Sequence, residues 1–125
     1  MAAAYDSAVR FDSFSVLMLI RPPNAPVLDD AAALALQDAH LAHLADLHEA
    51  GHLLAAGPVR GPDDRELRGL CIFAVDVDRA RELEEADPAV QAGWFAIQVA
   101  PWMVPGGAMS FTPTRFPRST AEALG

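Results

Sequence analysis

The stretch from Asp38 to Pro58 constrains the fold most, because three different local structures are marked within it. Leucines at helical spacing in its first half predict the end of an amphipathic helix. Gly51 follows, and glycine adopts the left-handed conformation of a helix stop without steric cost. The next apolar run is short and ends at Gly57 and Pro58, which is typical of a strand. We therefore expect a histidine-bearing helix that leads directly into a buried strand.

The rest of the chain predicts three more strands and one more helix. The predicted strands cover residues 14–20, 52–59, 67–77 and 94–103, and the predicted helices cover residues 30–50 and 78–86. We expect residues 1–12 to form a loose leader, residues 13–104 one domain, and residues 105–125 an extended or mobile tail. The order β-α-β-β-α-β is that of a ferredoxin-like α+β fold, with an antiparallel four-stranded sheet and two helices on one face.

The spacing of leucines in the first helix predicts which side of it is buried. Leu34, Leu41, Leu44 and Leu47 recur with helical periodicity and are expected to form the stripe that faces the sheet. His40 is then expected at the border of this stripe.

The strands carry apolar residues on both faces. Phe14, Val16 and Met18 alternate with Leu17 and Leu19 in the first strand. Because two helices cover only one face, the other needs a second cover, and the simplest cover is a symmetry-related sheet. We therefore expect a homodimer that forms through the sheet.

Composition excludes several classes of function. The formal net charge is −8 and all nine basic residues are arginine, so binding to nucleic acid or to anionic lipid is not expected. One cysteine excludes an intrachain disulfide and a cysteine-based zinc cluster. Neither a secretory signal nor a membrane-spanning run is recognisable, so a cytoplasmic location is expected.

A longer motif is present in the opening stretch. Starting at His40, the chain reads His-Leu-x-x-Leu-x-x-Leu-His-x-x-Gly-x-Leu-Leu-x-x-Gly-Pro, and Ala86-Asp87-Pro88 follows further on. This pattern resembles the YciI-like (YCII-related) family. The resemblance implies a dimeric α+β barrel and a His-Asp pair, in which His40 and Asp87 match the motif positions.

His40 is the first candidate catalytic residue. An imidazole can take up or release a proton near neutral pH, which suits a general acid or base. The alternative is a histidine at the helix edge that binds water or a neighbouring residue.

Asp87 is the second candidate catalytic residue. Its carboxylate could accept the imidazole N–H of His40 and fix the tautomer of the ring. However, Asp followed by Pro is also the pattern of a helix N-cap, so the same carboxylate could simply cap a short turn from Pro88.

Other residues have more modest expected roles. Gly57 and Pro58 match the family motif and are predicted to shape the wall of a substrate pocket. His43 lies three residues after His40, but no third ligand has metal-site spacing, so no metal or cofactor is predicted. His48 is explained by a favourable interaction with the helix dipole, and Cys71 by burial as a small apolar residue.

Two functions of different classes remain open. In the first, the protein is a cofactor-free enzyme of lyase or isomerase type on a small organic molecule, and His40 and Asp87 carry the chemistry. In the second, it is a non-catalytic dimer that binds a small molecule or a partner. Family members often carry Arg-Pro shortly before the motif histidine, whereas Gln37 and Asp38 stand here. The resemblance therefore does not transfer a substrate.

Overall fold

The computed structural model describes residues 8–60 and 67–123. Its strands are β1 (Phe11–Ile20), β2 (Leu53–Pro58), β3 (Leu67–Phe73) and β4 (Ala96–Pro105), and its helices are α1 (Asp30–Glu49), α2 (Val77–Glu85), α3 (Pro88–Gln91) and α4 (Thr120–Ala123). The strands form one antiparallel sheet in the order β2-β3-β1-β4. This confirms the predicted ferredoxin-like α+β arrangement. None of these helices combines the length and the apolarity needed to cross a membrane.

Local sequence signals fix both ends of α1. The side chain of Asp29 accepts a hydrogen bond from the Ala32 N–H at 2.7 Å and so caps the first turn. At the other end Gly51 has φ +85°, and the N–H groups of Gly51 and His52 donate to the carbonyls of His48 and Leu47. This pair of hydrogen bonds is the Schellman stop that a left-handed glycine permits.

The buried side of α1 differs from the predicted leucine stripe. His40, Leu44 and Leu47 are buried and Leu36 packs against the same core, whereas Leu34 is 52% exposed. The prediction for Leu34 was therefore wrong, and His40 lies within the buried line of the helix and not at its border. The side of α1 that faces the sheet is therefore not the one that the leucine spacing indicates. It includes Leu36 and His40.

The strand boundaries differ from the prediction at several ends. β1 begins at Phe11, inside the predicted leader, and β3 ends at Phe73 although residues up to 77 were predicted as strand. The cause at β3 is Asp76, whose side chain accepts from the Arg79 N–H at 2.8 Å and starts α2. Residues 61–66, which connect the second and third predicted strands, and residues 1–7 of the predicted leader lie outside the described ranges.

Part of the segment after β4, which was predicted as an extended or mobile tail, packs against the helical face of the domain. Arg118 forms ion pairs with Asp46 at 2.9 Å and with Glu49 at 2.8 Å, both on α1. The Thr120 N–H donates to the Asp38 carboxylate at 2.7 Å. The segment is therefore attached along α1.

The helices cover one face of the sheet, and the core lies between them. Leu17, Phe73 and Ala80 are fully buried there. The opposite face carries half-buried or partly exposed apolar side chains, and the strand register brings them together: Phe14, Val16, Met18, Ile20, Leu70, Ile72, Ala100 and Trp102. We call this set the outer sheet face. Phe111 contacts it at Phe14, with ring centroids 5.5 Å apart.

Substitution of Gly51 by alanine tests the helix stop. We expect Gly51→Ala to lower the free energy of unfolding by about 1 kcal/mol, because alanine is strained in the left-handed region. Gly57→Ala is the matched control, since a Cβ at Gly57 meets nothing within 4 Å and its φ is not in that region. Denaturant unfolding of both variants checks this, and equal stabilities would contradict the assignment.

Candidate functional site

The centre of the site is a buried contact between α1 and the start of α3. Nδ1 of His40 lies 2.5 Å from Oδ2 of Asp87, and the two side chains are 6% and 0% exposed. The distance is short for a hydrogen bond between nitrogen and oxygen. An imidazole that donates Nδ1–H to a carboxylate has a fixed tautomer, which leaves Nε2 as the nitrogen available to a substrate. Nε2 has no hydrogen-bond partner within residues 8–60 and 67–123.

Asp87 makes this contact and also caps a helix. Its Oδ1 accepts a hydrogen bond from the Ala89 N–H at 2.8 Å at the start of α3, where Pro88 occupies the first turn. The two interpretations of Asp87 from the sequence are therefore compatible, because each oxygen of the carboxylate serves one partner. Capping also fixes the direction from which Oδ2 approaches His40.

The environment keeps Asp87 ionised. Burial by itself raises the pKa of the Asp87 carboxyl, but the hydrogen bonds with His40 and Glu84, the charge of His40 and the Ala89 N–H together lower it below its usual value. A carboxylate of this kind stabilises the imidazolium that forms when His40 takes up a proton.

Glu84 is a third member of the cluster, and the sequence reading missed it. Its side chain is 0% exposed, and ligand atoms of His40, Glu84 and Asp87 all lie within 4.8 Å of one another. Burial, the negative charge of Asp87 and a hydrogen-bonding contact with Asp87 raise the pKa of Glu84 to about 10. The Glu84 oxygens form no hydrogen bond of good geometry with the described residues. Glu84 is therefore a neutral acid at pH 7.

A signal for Glu84 was present in the sequence. Glu84 lies four residues after Ala80, which is one helical turn, and these two are the buried residues of α2. A position four residues from a core alanine on the same helix is itself a core position. The acid was overlooked because a glutamate in a charged run normally marks a solvated face.

His43 binds to α2 and does not pair with His40. Its Nε2 lies 3.0 Å from the Leu83 carbonyl oxygen and 3.3 Å from Oε1 of Glu84. The potential metal ligands in the described part of the chain are instead His40, Glu84 and Asp87. Two ligands on one zinc ion lie about 3.3 Å apart in tetrahedral geometry. The 2.5 Å contact between His40 and Asp87 is that of a hydrogen bond and does not fit this arrangement.

An aromatic cluster surrounds the imidazole of His40. The Phe95 ring meets it edge-on with centroids 5.2 Å apart, and Trp94 packs against Phe95. The Arg21 guanidinium lies 4.2 Å from the centroid of a Trp94 ring, and its Nε donates to the Trp94 carbonyl at 3.2 Å. These contacts restrict the motion of the His40 ring.

A cavity of about 270 Å³ lies between α1 and the sheet. Its described lining is Leu19, Gln37, Leu41, Leu44, Ala56, Gly57, Pro58, Gly69, Leu70, Cys71, Phe116, Pro117, Thr120 and Ala123. Gly57 and Pro58 thus lie where a pocket wall was predicted, whereas His40 and Asp87 are not among the lining residues. However, Gln37 and Leu44 lie one helical turn before and after His40, so the cavity adjoins the His40 position.

Two further sequence interpretations concern His48 and Cys71. His48 is held by the Leu53 carbonyl at Nδ1 (2.7 Å) and by the Thr114 N–H at Nε2 (3.0 Å). His48 also lies in the last turn of α1, so its interaction with the helix dipole stays a prediction. Cys71 is fully buried, as predicted, and burial, followed by the nearby acidic groups Glu84 and Asp87, raises the pKa of its thiol well above the usual value.

The YCII-related domain model matches residues 15–103. The chain belongs to this family. No curated protein matches it in sequence. A similar solved structure is the 5-chloro-2-hydroxyhydroquinone dehydrochlorinase of Burkholderia phenoliruptrix, in complex with 2,5-dihydroxybenzoquinone. It is 24% identical with a TM-score of 0.51, and the match covers 71% of this chain and 92% of that one. This likeness supports the fold.

Glu84→Gln tests the buried acid. The pKa of Glu84 in the folded protein, about 10, is above its usual value of 4.5. The contribution of Glu84 to stability is therefore fully present below pH 4.5 and is lost as the pH rises towards the folded pKa. We expect wild-type unfolding free energy to fall from pH 5 to 9 by up to about 1.4 kcal/mol per pH unit, the slope of one linked proton.

The Glu84→Gln variant should lack this part of the pH dependence of the unfolding free energy, because glutamine does not titrate. Glu82→Gln is the control on the same helix, since the Glu82 side chain is 71% exposed. Denaturant unfolding across this pH range gives the slopes. Identical slopes for wild type and Glu84→Gln would contradict the assignment of a neutral Glu84.

Proposed function

We propose that this YCII-related protein is a cofactor-free small-molecule enzyme of lyase or isomerase type, in which His40 is the general acid and base. The observation that carries the proposal is the buried contact from Nδ1 of His40 to Oδ2 of Asp87. The contact uses one ring nitrogen and fixes the other for proton transfer.

In this mechanism Asp87 acts through His40 as a positioning residue. Nε2 of His40 removes a proton from the substrate, and the charge of Asp87 stabilises the imidazolium. In a lyase reaction the electron pair left behind forms a double bond while the leaving group departs with its own electron pair. In an isomerase reaction the imidazolium returns the proton to another atom of the substrate. Neither route needs a group other than the histidine to carry the proton.

Two features support a substrate without charged groups. Within the described part of the cavity lining no side chain is charged. The arginine that often precedes the motif histidine in the family is also replaced, since Gln37 and Asp38 occupy those positions. A strongly anionic substrate would therefore have no counter-charge in this cavity.

The similar dehydrochlorinase supplies a starting point for assays. Loss of hydrogen chloride from a substituted hydroquinone is an elimination that begins with removal of a proton. The proposal extends to this chain the reaction class named for that protein, and halogenated hydroquinones are reasonable first substrates.

Non-catalytic binding is the second candidate function. One observation favours it, because His40 and Asp87 are not among the residues that line the cavity. In this case the His40–Asp87 contact is a structural connection between α1 and α3, and the cavity alone binds a small molecule.

Chloride release from 5-chloro-2-hydroxyhydroquinone distinguishes the two candidates. We expect the wild type to release chloride and His40→Asn to lose at least about 100-fold in kcat, because the proton acceptor is removed. His52→Gln is the control. His52 follows the end of α1, and its side chain forms no hydrogen bond with the described residues.

Asp87→Asn tests whether Asp87 acts by positioning the imidazole of His40. We expect a reduced kcat with little change in KM, together with altered imidazole ¹⁵N chemical shifts of His40, because the amide cannot fix the same tautomer. Binding of 2,5-dihydroxybenzoquinone without turnover of a halogenated hydroquinone series would favour the non-catalytic candidate instead.

We also propose that the protein is a homodimer through the outer sheet face. Two observations support this: the apolar side chains of β1, β3 and β4 on that face lie side by side, and no described helix packs over them. Trp102 on this face is 41% exposed. The family resemblance implies the same assembly. A second copy of the sheet would remove these side chains from water.

Met18→Glu tests the dimer, because it places a charge in the middle of the outer sheet face. We expect wild type to elute as a dimer in size-exclusion chromatography with light scattering and the variant as a monomer. Leu34→Glu is the control, since Leu34 is exposed on α1 and should not change the mass. A monomeric wild type at micromolar concentration would contradict the proposal.

A further inference from the structure

Arg21, the residue that follows β1, is a half-buried cation held against two aromatic rings. Its guanidinium carbon lies 4.2 Å from the centroid of a Trp94 ring and 5.2 Å from the centroid of the Phe95 ring. Its Nε donates to the Trp94 carbonyl oxygen at 3.2 Å. Stacking and the hydrogen bond together hold the guanidinium in one place, with its two terminal nitrogens left to bind other groups.

The backbone that follows Arg21 is stiff. Pro22, Pro23 and Pro26 lie in the loop between β1 and α1, and proline fixes the φ angle at each of these positions. The Ala25 N–H donates to the Pro22 carbonyl oxygen at 3.0 Å, so the loop begins with a tight turn. The loop therefore presents a wall of restricted shape beside Arg21.

Trp94 is placed by the short helix that Asp87 caps. At the end of α3 Gly93 has φ +75°, and the Trp94 N–H donates to the Ala89 carbonyl oxygen at 3.0 Å. This is the helix stop that a left-handed glycine permits. The ring that supports Arg21 is thus fixed by the same element that fixes the carboxylate of Asp87.

The charge of Arg21 is unbalanced in the described part of the chain. No carboxylate of residues 8–60 and 67–123 pairs with it, and its terminal nitrogens form no hydrogen bond with these residues. Partial burial, followed by the positive charge of Arg68, lowers the pKa of Arg21 below its usual value. An anion beside the guanidinium would offset both effects.

A groove of about 360 Å³ lies beside Arg21 and Trp94. Pro22, Pro26 and Leu28 contribute to its wall, and Arg21 is the charged side chain among its described lining residues. None of the described residues lines both this groove and the cavity between α1 and the sheet. Because an apolar cavity of about 150 Å³ accommodates benzene, the groove has room for one substituted ring.

We propose that this groove is a second ligand site, which binds small aromatic carboxylates through the guanidinium of Arg21. The two terminal nitrogens of an arginine match the two oxygens of a carboxylate, to which they donate in parallel. The ring of the ligand then lies against Trp94 and the loop prolines. The site is separate from the cavity assigned to the substrate, so the proposal does not depend on the proposed function.

Binding of two probes of nearly the same shape tests the role of Arg21. Benzoate is an anion and benzamide is neutral, and their dissociation constants can be measured by NMR titration at low ionic strength. The formal net charge of −8 disfavours anions in general, so a preference for benzoate requires a local cation. We expect wild type to prefer benzoate, and Arg21→Gln to lose about tenfold of this preference.

Arg115→Gln is the matched control. It removes the same charge from the chain, but the Arg115 side chain is 84% exposed and pairs with Glu122. We expect this variant to retain the wild-type preference. The proposal is overturned by a wild type that binds benzoate no more tightly than benzamide, by an unchanged preference in Arg21→Gln, or by an equal loss in Arg115→Gln.

A second measurement locates benzoate in the wild type and does not depend on how Arg21→Gln folds. The chain has two tryptophans, so their indole N–H resonances are readily distinguished. Benzoate should shift the resonance of Trp94 and leave that of Trp102, on the outer sheet face, unchanged. Shifts at Trp102, or at the cavity residues Leu41 and Leu44 in place of Trp94, would contradict the proposed site.

These results and those for the proposed enzyme are independent. If benzoate binds at Trp94 but no halogenated hydroquinone is turned over, the catalytic proposal fails and the carboxylate site stands. If turnover depends on His40 but benzoate does not bind in preference to benzamide, the carboxylate site fails and the catalytic proposal stands.

Discussion

The hydrogen bond between His40 and Asp87 is the contact on which the arrangement of the helices and of the acids depends. It joins α1 to the start of α3 inside the protein, where both side chains are almost inaccessible to solvent. A buried carboxylate needs several partners, and Asp87 has them in His40 and in the Ala89 N–H. Loss of either partner would leave the carboxylate oxygen that it contacts without a hydrogen bond in a buried site. The contact therefore fixes the packing of the helices as well as the tautomer of the histidine.

This contact also determines the state of Glu84. Two carboxyls that share a dry site cannot both be ionised at low cost, so their pKa values separate. Asp87 has the histidine and the helix N-terminus as partners and stays charged, while Glu84 holds its proton. This neutral acid allows a second carboxyl to occupy the core without a second negative charge.

The sequence predicted the order of the elements well, because this order depends on local signals. Gly51, Asp87-Pro88 and the apolar runs act within a few residues, and the structure has the helix stop, the cap and the strands where they indicate. His40 was identified as a candidate by the motif, and its contact with Asp87 became visible only in the structure, since 47 residues separate the two. Its functional role is still a proposal.

The wrong predictions of burial share one physical cause. The exposure of Leu34 and the burial of Glu84 depend on how α1 and α2 are rotated against the sheet. Rotation is set by tertiary packing, which propensity and spacing describe only approximately. The same limit applied to the residues after β4, because a segment rich in proline and glycine has no periodicity that reveals which surface it contacts.

The positions of the pair and the cavity on α1 constrain how a substrate could meet His40. Leu41 and Leu44 face the cavity, and Gln37 and Leu44 lie one turn on either side of His40. A ligand held against this part of the helix therefore lies beside the turn that carries His40. The Phe95 ring packs against the imidazole on one side. Gln37 and His40 both lie in the middle part of a 20-residue helix. Because His40 and Asp87 are not among the lining residues, a catalytic role of His40 requires that a bound substrate reach past the described cavity wall to Nε2.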